Sequence, residues 1–324
     1  MTDCVTVVVT CYNHEQYIEE CLRSVFSQTH QDIALIVIND GSTDASAAVI
    51  EQVLTDCPFQ SVQFIDKENE GVCVTRNMGL ELLKDDFILF LDSDNFLEPN
   101  YIETMLVAIL NENADIAYCD LIDTETGEVI SKAEPYTIKT HLHHNFIDNC
   151  SLIRKKAIGS ERYDLALNRK KLEDYDFFLN LIINHGAKPI PVKGTVLNYR
   201  LLENSVSDRK NHKKQIDAYT YVMLKYSAQY PDEVKASMDD QYFYLLDQTQ
   251  HVEEQLFSRF LEVQTQIQIV NEQNQVILDL KQRVQDLEQH VADQDQLIRA
   301  YQERKAVKWG DLFAKLVHRE TKRR

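Results

Sequence analysis

The chain has 324 residues with an ordinary 44% hydrophobic content, enough for one large domain or two smaller ones. It contains no apolar run long enough to span a bilayer, and its net charge of −18 argues against nucleic acid as a partner. Seven cysteines, all in the first half and without CxxC pairing, read as reduced thiols of a cytosolic protein. Met1-Thr2-Asp3-Cys4 has no basic n-region, so no signal peptide is expected.

Val5 to Thr10 is a β-branched run and predicts a first buried strand. It ends at Cys11-Tyr12-Asn13, and Glu15 to Ser27 then shows helical apolar spacing through Ile18, Leu22, Val25 and Phe26. Ile33 to Ile38 predicts a second strand, stopping at Asn39-Asp40-Gly41-Ser42-Thr43-Asp44, where Ser42 or Thr43 could cap the next helix. Ser61 to Ile65 is a short third strand, followed by Asn69-Glu70-Gly71 and a helix through Arg76-Asn77. Phe87 to Leu91, five apolar residues in a row, reads as a strand buried on both faces. Beyond it Pro99 suits a helix start before Tyr101 to Leu110, and a further strand is expected at Ile116 to Leu121. Alternation of strands and helices at this spacing predicts a parallel, doubly wound sheet.

The fourth strand ends in Asp92-Ser93-Asp94, and open α/β sheets bind ligands beyond the carboxyl ends of their strands. Asp-x-Asp can hold a hard divalent cation such as Mg²⁺ or Mn²⁺, which in turn can hold a diphosphate. Taken alone, the same residues are also an ordinary acidic turn.

Four segments in order, Val9 to Asn13, Asn39 to Asp44, Asn69 through Arg76-Asn77, and Asp92-Ser93-Asp94, resemble the successive motifs of family 2 glycosyltransferases. The resemblance covers roughly residues 5–207. It implies the GT-A fold, an α/β, Rossmann-like and mostly parallel sheet with flanking helices. It also implies a nucleotide-sugar site made of Thr10, Tyr12, Asn13, Glu15, Asp40, Asn69, Arg76, Asp92 and Ser93, with Asp94 as the direct ligand of Mn²⁺ or Mg²⁺. In that family Tyr12 would lie beside the base and Asp40 would accept a hydrogen bond from uracil N3–H. A carboxylate is acceptor-only and so selects a base with a donor there. Arg76 would lie near the base and phosphates, and Asp92 would reach the ribose.

Leu172 to Leu179 resembles the family's Glu-Asp motif at the start of a helix. By that resemblance Asp174 is the catalytic base of an inverting transfer, Glu173 orients the acceptor, and Asp176 is the fallback base. Acids at a helix N-terminus are also favoured by the macrodipole alone. Cys150 to Arg154 resembles the strand lining the acceptor side, and Thr140-His141-Leu142-His143-His144-Asn145 reads as a polar acceptor-side loop rather than a metal site. One departure is at Tyr199-Arg200-Leu201-Leu202, where Leu202 stands in place of the family's metal-binding His. Water, Glu203 or a nearby His would have to substitute for it.

From about residue 232 to 309 neither Gly nor, apart from a stretch before it, Pro interrupts the chain, permitting a long helix. Leu256, Phe260, Val263, Ile267, Val270, Asn274 and Ile277, then Leu280, Val284, Leu287, Val291, Gln294, Ile298 and Tyr301, form a heptad seam broken by one three-residue step. That pattern predicts an oligomeric coiled coil. Residues 304–324 carry eight Lys/Arg against two acids with apolar residues between, as in a membrane-surface helix. The expected organisation is a transferase domain at 1–210, a helical linker region at 211–254, a coiled coil at 255–303 and a basic amphipathic tail at 304–324.

The chain thus reads as a cytoplasmic transferase, with peripheral contact to the inner face of the membrane. It would move a hexosyl or N-acetylhexosaminyl group from a UDP-sugar to a glycan, lipid-linked or glycoprotein hydroxyl in surface-glycan synthesis. A non-catalytic scaffold recruiting partners through the coiled coil is the alternative, against which stand the two retained carboxylate pairs. A nucleotidyltransferase would need a Gly-rich basic loop after the first strand, which Cys11 to Glu15 is not.

Overall fold

A computed structural model describes residues 3–202, 212–248 and 253–321. The β-branched and apolar runs form strands β1 (Val5–Cys11), β2 (Ile33–Asp40), β3 (Ser61–Lys67) and β4 (Phe87–Asp92). These pair in parallel in the order β3-β2-β1-β4, and Val5 stands opposite both Ile33 and Phe87. Helices α1 (Ile18–Phe26), α2 (Ser46–Leu54) and α3 (Val72–Leu82) make the crossovers between them.

The two faces of the sheet explain why these strands are apolar without alternation. Val7, Val9, Leu89 and Leu91 pack into one buried layer with Ile18, Leu22 and Val25 of α1. Val8, Ile88 and Phe90 face the opposite layer. Helix α3 lies so close to that second face that a Cβ on Gly79 would come within 2.8 Å of Val8 Cγ1 and 3.1 Å of Phe90 Cε1.

Past β4 the sheet becomes mixed. β5 (Phe96–Leu97), α4 (Tyr101–Asn111), β6 (Ile116–Asp123), β7 (Val129–Ser131), α5 (Ile138–His143), β8 (Leu152–Arg154), α6 (Lys155–Ile158), α7 (Glu173–Ile183) and β9 (Pro189–Tyr199) follow in order. β8 runs antiparallel between β4 and β6, while β9 runs parallel to β6 and carries β5 on its outer edge. Short antiparallel β8 makes the sheet mixed beyond its four-strand core, in keeping with the mostly parallel sheet expected, and the core that carries the site is parallel.

Two local expectations change. Helix α2 starts at Ser46, whose amide donates to Asp44 Oδ1 at 3.0 Å, so Asp44 rather than Ser42 or Thr43 satisfies its first turn. The histidine segment is helix α5 and not a polar loop, because Thr137 and Thr140 form a reciprocal cap that starts a helical turn. His141 then points into a cluster of Tyr136, Phe146 and Tyr175, where burial lowers its pKa to about 3. His143 meets Asp240 at 3.1 Å, and the exposed His144 has its ring 5.5 Å from Phe146.

Helices α8 (His212–Tyr226) and α9 (Pro231–Gln248) belong to the same compact unit, which runs to Glu253. Lys225 on α8 reaches Asp176 at 2.6 Å and Asp164 at 2.9 Å, and Ser237 on α9 donates to the Leu142 carbonyl at 2.5 Å. The second unit is one helix, α10 (Glu253–Thr321), of 69 residues. No helix among the described residues is long and apolar enough to cross a membrane.

Candidate active site

The carboxyl ends of β1, β2 and β4 converge, and their loops are knitted to one another by short polar bonds. Thr10 and Asp92 are register partners, and Thr10 Oγ1 donates to Asp92 Oδ1 at 3.0 Å. Ser93 donates its amide to the Thr10 carbonyl at 3.1 Å, and its hydroxyl lies 2.7 Å from His14 Nδ1. Burial lowers the His14 pKa, keeping that ring neutral.

Asn13, held at φ 55°, accepts the Thr43 amide on its side chain and gives its own amide to Ser42 Oγ. Glu15 accepts the Ala45 amide at 2.6 Å. Both residues therefore tie the β1–α1 loop to the β2–α2 loop. Tyr12 between them is 46% exposed, its ring open on the lip.

Asp40 is buried and faces the β3–α3 loop. It accepts the amides of Glu70 at 3.0 Å and Gly71 at 2.9 Å and pairs with Lys67. Three of roughly four acceptor positions on the carboxylate are thus used within the fold, leaving one for a ligand. Gly71 sits at φ 94°, and a Cβ there would fall 2.4 Å from Asn168 Oδ1, so the loop closes only with glycine. Asn69 is held by Arg169 Nη2 at 2.6 Å.

The centre of the arrangement is Arg76 on α3. Its guanidinium is 4% exposed and bridges the two halves of the site: Nη2 donates to Asp92 at 2.9 Å, and Nη1 to Glu173 Oε1 at 2.9 Å. Tyr163 lies under it, with the ring centroid 5.5 Å away. Arg76 thus faces the carboxylates rather than an open phosphate position, and Glu173 is engaged by Arg76.

Beside Asp92 and Glu173 two further carboxylates, Asp94 and Asp174, have raised pKa values despite the nearby charge of Arg76. Burial, and then the charge of Asp92, push the Asp94 pKa up to about 7, against the opposing pull of its own backbone amide, Arg200 and Arg76. Asp174 is held by neutral donors only, the Tyr175 amide at 2.7 Å and Asn145 Nδ2 at 3.1 Å. Burial first, and then the Glu173 and Asp148 charges, raise its pKa above the ordinary carboxylate range. The residue before this pair, Leu172, is at φ 62°, a strained conformation for leucine that aims the first turn of α7. Asp176, by contrast, is taken by Lys225 and by Tyr226 at 3.2 Å and anchors α8.

Two residues of the site carried no role in the sequence reading. Asp148, ahead of β8, is raised to about 6 by burial and by Asp92, and it accepts the Cys150 amide at 2.8 Å. Arg200 donates to the Asp94 carbonyl at 2.6 Å, pairs with Glu20, and lies over the rings of Tyr17 and Phe96. Arg200 lies in the Tyr199-Arg200 segment noted for its missing histidine, whereas Asp148 stands in no motif of the sequence.

A divalent cation fits this donor set in one respect. Asp94 is a half-buried carboxylate whose pKa is raised by burial and then by the charge of Asp92, both of which a bound cation would relieve. Among the described residues no three His, Cys, Asp or Glu side chains form a cage. The fit is therefore that of a hard cation held by one carboxylate, with substrate phosphates and water completing its shell. Glu203, a candidate substitute for the histidine missing at Leu202, lies outside the described residues.

A parallel core with carboxylates and a buried arginine at its strand ends puts the candidate site where open α/β sheets bind ligands. The sequence model of glycosyl transferase family 2 matches residues 6–171, just over half of the chain, and the protein belongs to that family. It is 29% identical over 227 residues to the putative glycosyltransferase EpsH of Bacillus subtilis, covering 65% of each protein. It is 38% identical over 115 residues to glycosyltransferase GlyA of Streptococcus pneumoniae, covering 36% of this chain but only 16% of GlyA. The teichoic acid poly(glycerol phosphate) polymerase of Staphylococcus epidermidis is 32% identical over 161 residues, or 47% of this chain and 22% of that protein. The chain thus spans less than two thirds of these relatives. Among solved structures, S. aureus TarS 1–349 in complex with UDP-GlcNAc matches 80% of this chain and 72% of its own, with TM-score 0.58 and 17% identity. The mannosyltransferase PcManGT from Pyrobaculum calidifontis, solved with GDP-Man and Mn²⁺, matches 70% and 64% with TM-score 0.52 and 14% identity. These likenesses show the GT-A fold.

Proposed function

We propose that the protein is an inverting transferase that moves a hexosyl or N-acetylhexosaminyl group from a UDP-sugar to a hydroxyl of a surface-glycan acceptor, glycan, lipid-linked or glycoprotein. The observation that carries this reading is the division of labour around Arg76. One guanidinium holds Asp92 and Glu173, while burial makes Asp94 on the donor side and Asp174 on the acceptor side more basic than ordinary carboxylates.

In this mechanism the acceptor oxygen forms its bond to the anomeric carbon as the bond from that carbon to the diphosphate oxygen breaks. The acceptor's proton passes to Asp174, and UDP leaves on the opposite face. General-base efficiency is greatest when the base's pKa lies near the working pH, and the burial of Asp174 moves it in that direction. The Tyr175 amide and Asn145 fix the orientation of the carboxylate without neutralising it. Arg76 holds Asp92 and Glu173 still and keeps their charges from raising Asp174 further. Tyr12 offers an exposed face for the uracil ring, and Asp40 keeps one acceptor position for its N3–H. Held by Asp94, Mn²⁺ or Mg²⁺ would supply Lewis-acid stabilisation of charge on the leaving diphosphate.

UDP in complex with TarS, UDP-GlcNAc in complex with the same protein, and the teichoic acid name of one relative support the donor and the setting. A cytoplasmic location at the membrane, with residues 304–324 against anionic lipid, belongs to this reading. The test is calorimetric titration of UDP into the full chain with and without Mn²⁺, beside Asp94→Asn. UDP affinity should rise with Mn²⁺ in the parent and not in the variant. Failure to bind UDP under either condition would overturn the reading in favour of a scaffold.

A further inference from the structure

We propose that α10 pairs with α10 of a second copy of this chain as a parallel, in-register, two-stranded coiled coil. The face in question is a run of apolar side chains with nothing of its own unit against it. Ile277, Leu280, Val284, Leu287 and Val291 are all about half exposed or more, Leu287 at 63%. Isolated helices draw little stability from propensity alone, and most helical stability in proteins comes from covering such a face.

The seam states what covers it. From Leu280 onward Val284 and Val291 occupy the a positions, while Leu280 and Leu287 occupy d. β-branched residues at a with leucine at d favour two strands in a parallel pair. Asn274 stands at an a position of the preceding segment, where a buried asparagine fixes register and strand number. The step of three from Ile277 to Leu280 overwinds the pair locally, and an in-register partner with the same sequence carries the same step at the same level.

The flanking charges set the direction. In a parallel pair each g position meets the following e position across the seam. Arg283 would meet Glu288 of the partner subunit, and His290 would meet Asp295 of the partner subunit. An antiparallel pair would instead set the g residues Arg283 and His290 against each other and the e residues Glu288 and Asp295 against each other. Within their own helix Arg283 meets Asp279 at 3.3 Å and His290 meets Gln294 at 3.3 Å, both exposed contacts that give way easily.

The full-length chain in sedimentation equilibrium should show twice the chain mass. Leu287→Lys should return it to a single chain mass; the position is exposed within one chain, so the change leaves no cavity and does not depend on refolding a core. Leu287→Cys should give a covalent dimer under mild oxidation where the parent gives none. A single-chain mass for the parent, a trimer, or an unchanged mass in Leu287→Lys would each overturn the proposal. A dimer without a Leu287→Cys cross-link would overturn its parallel direction. None of these outcomes depends on the donor or the acceptor.

Discussion

A guanidinium that is 4% exposed has to be neutralised, and at position 76 carboxylates from two distant parts of the chain do it. Removing Arg76 strands Asp92 and Glu173 beside Asp174 and Asp148. Breaking a buried ion pair from one side costs about 3–5 kcal/mol, so Arg76→Ala should lose that much in urea unfolding. Loss of less than about 1 kcal/mol, the worth of an exposed pair, would mean the clamp is solvated. Asp148 tests the opposite sign. Its folded pKa is raised to about 6, above its unfolded value, so the folded state binds the proton more tightly and stability falls as pH rises through that range. Asp148→Asn keeps an acceptor for the Cys150 amide and removes the charge. The variant should therefore melt higher than the parent above pH 6, with the gain shrinking to nothing towards pH 4. Each kcal/mol is worth about 2–4 °C for a domain of this size. A gain that persists unchanged at pH 4 would show that the charge is not the cause.

At the scale of elements, α3 is the piece that cannot be loosened, since it carries Arg76 and lies directly on β1 and β4. Gly79 permits that approach. Alanine is the better helix former by about 1 kcal/mol, but its Cβ would sit 2.8 Å from Val8 Cγ1 and 3.1 Å from Phe90 Cε1, both core side chains. Overpacking of this kind costs about 1–3 kcal/mol, so Gly79→Ala should lower the urea midpoint despite its propensity. A raised midpoint would mean that α3 can shift outward freely. β5, β7 and β9 were not read from the sequence, whereas β1, β2, β4 and β6 were legible because each is a largely apolar run that stops at a polar residue, a signal that needs no tertiary context. The same is true of the strand-end motifs, whose residues lie side by side in sequence. The antiparallel direction of short β8 and the helix α5 were not legible. β8 is three residues long and takes its direction from its neighbours, and the cap that starts α5 lacks the acidic third residue that usually marks one.

Over the whole molecule, the sequence named the carboxylates but not their partners. Arg76 meets Glu173 across 97 positions, and Arg200 meets the Asp94 carbonyl across 106. Contacts of that span are set by how the sheet closes, and no local pattern encodes them. In the proposed mechanism they matter because Arg76 holds Asp92 and Glu173 in place, while burial is what raises the pKa of Asp94 and Asp174. One consequence is a pH profile. As the proposed base Asp174 would have to be ionised, and its pKa is raised, so the acidic limb of kcat/KM should lie above the ordinary carboxylate value of about 4. The most direct measurement is UDP release across a panel of UDP-sugars by the full chain and by Asp174→Asn, with UDP affinity measured on the same preparations. The account predicts unchanged UDP affinity and a loss of turnover of about 10²–10⁴, the usual worth of a general base. Turnover within a few-fold of the parent, at equal affinity for UDP, would contradict it.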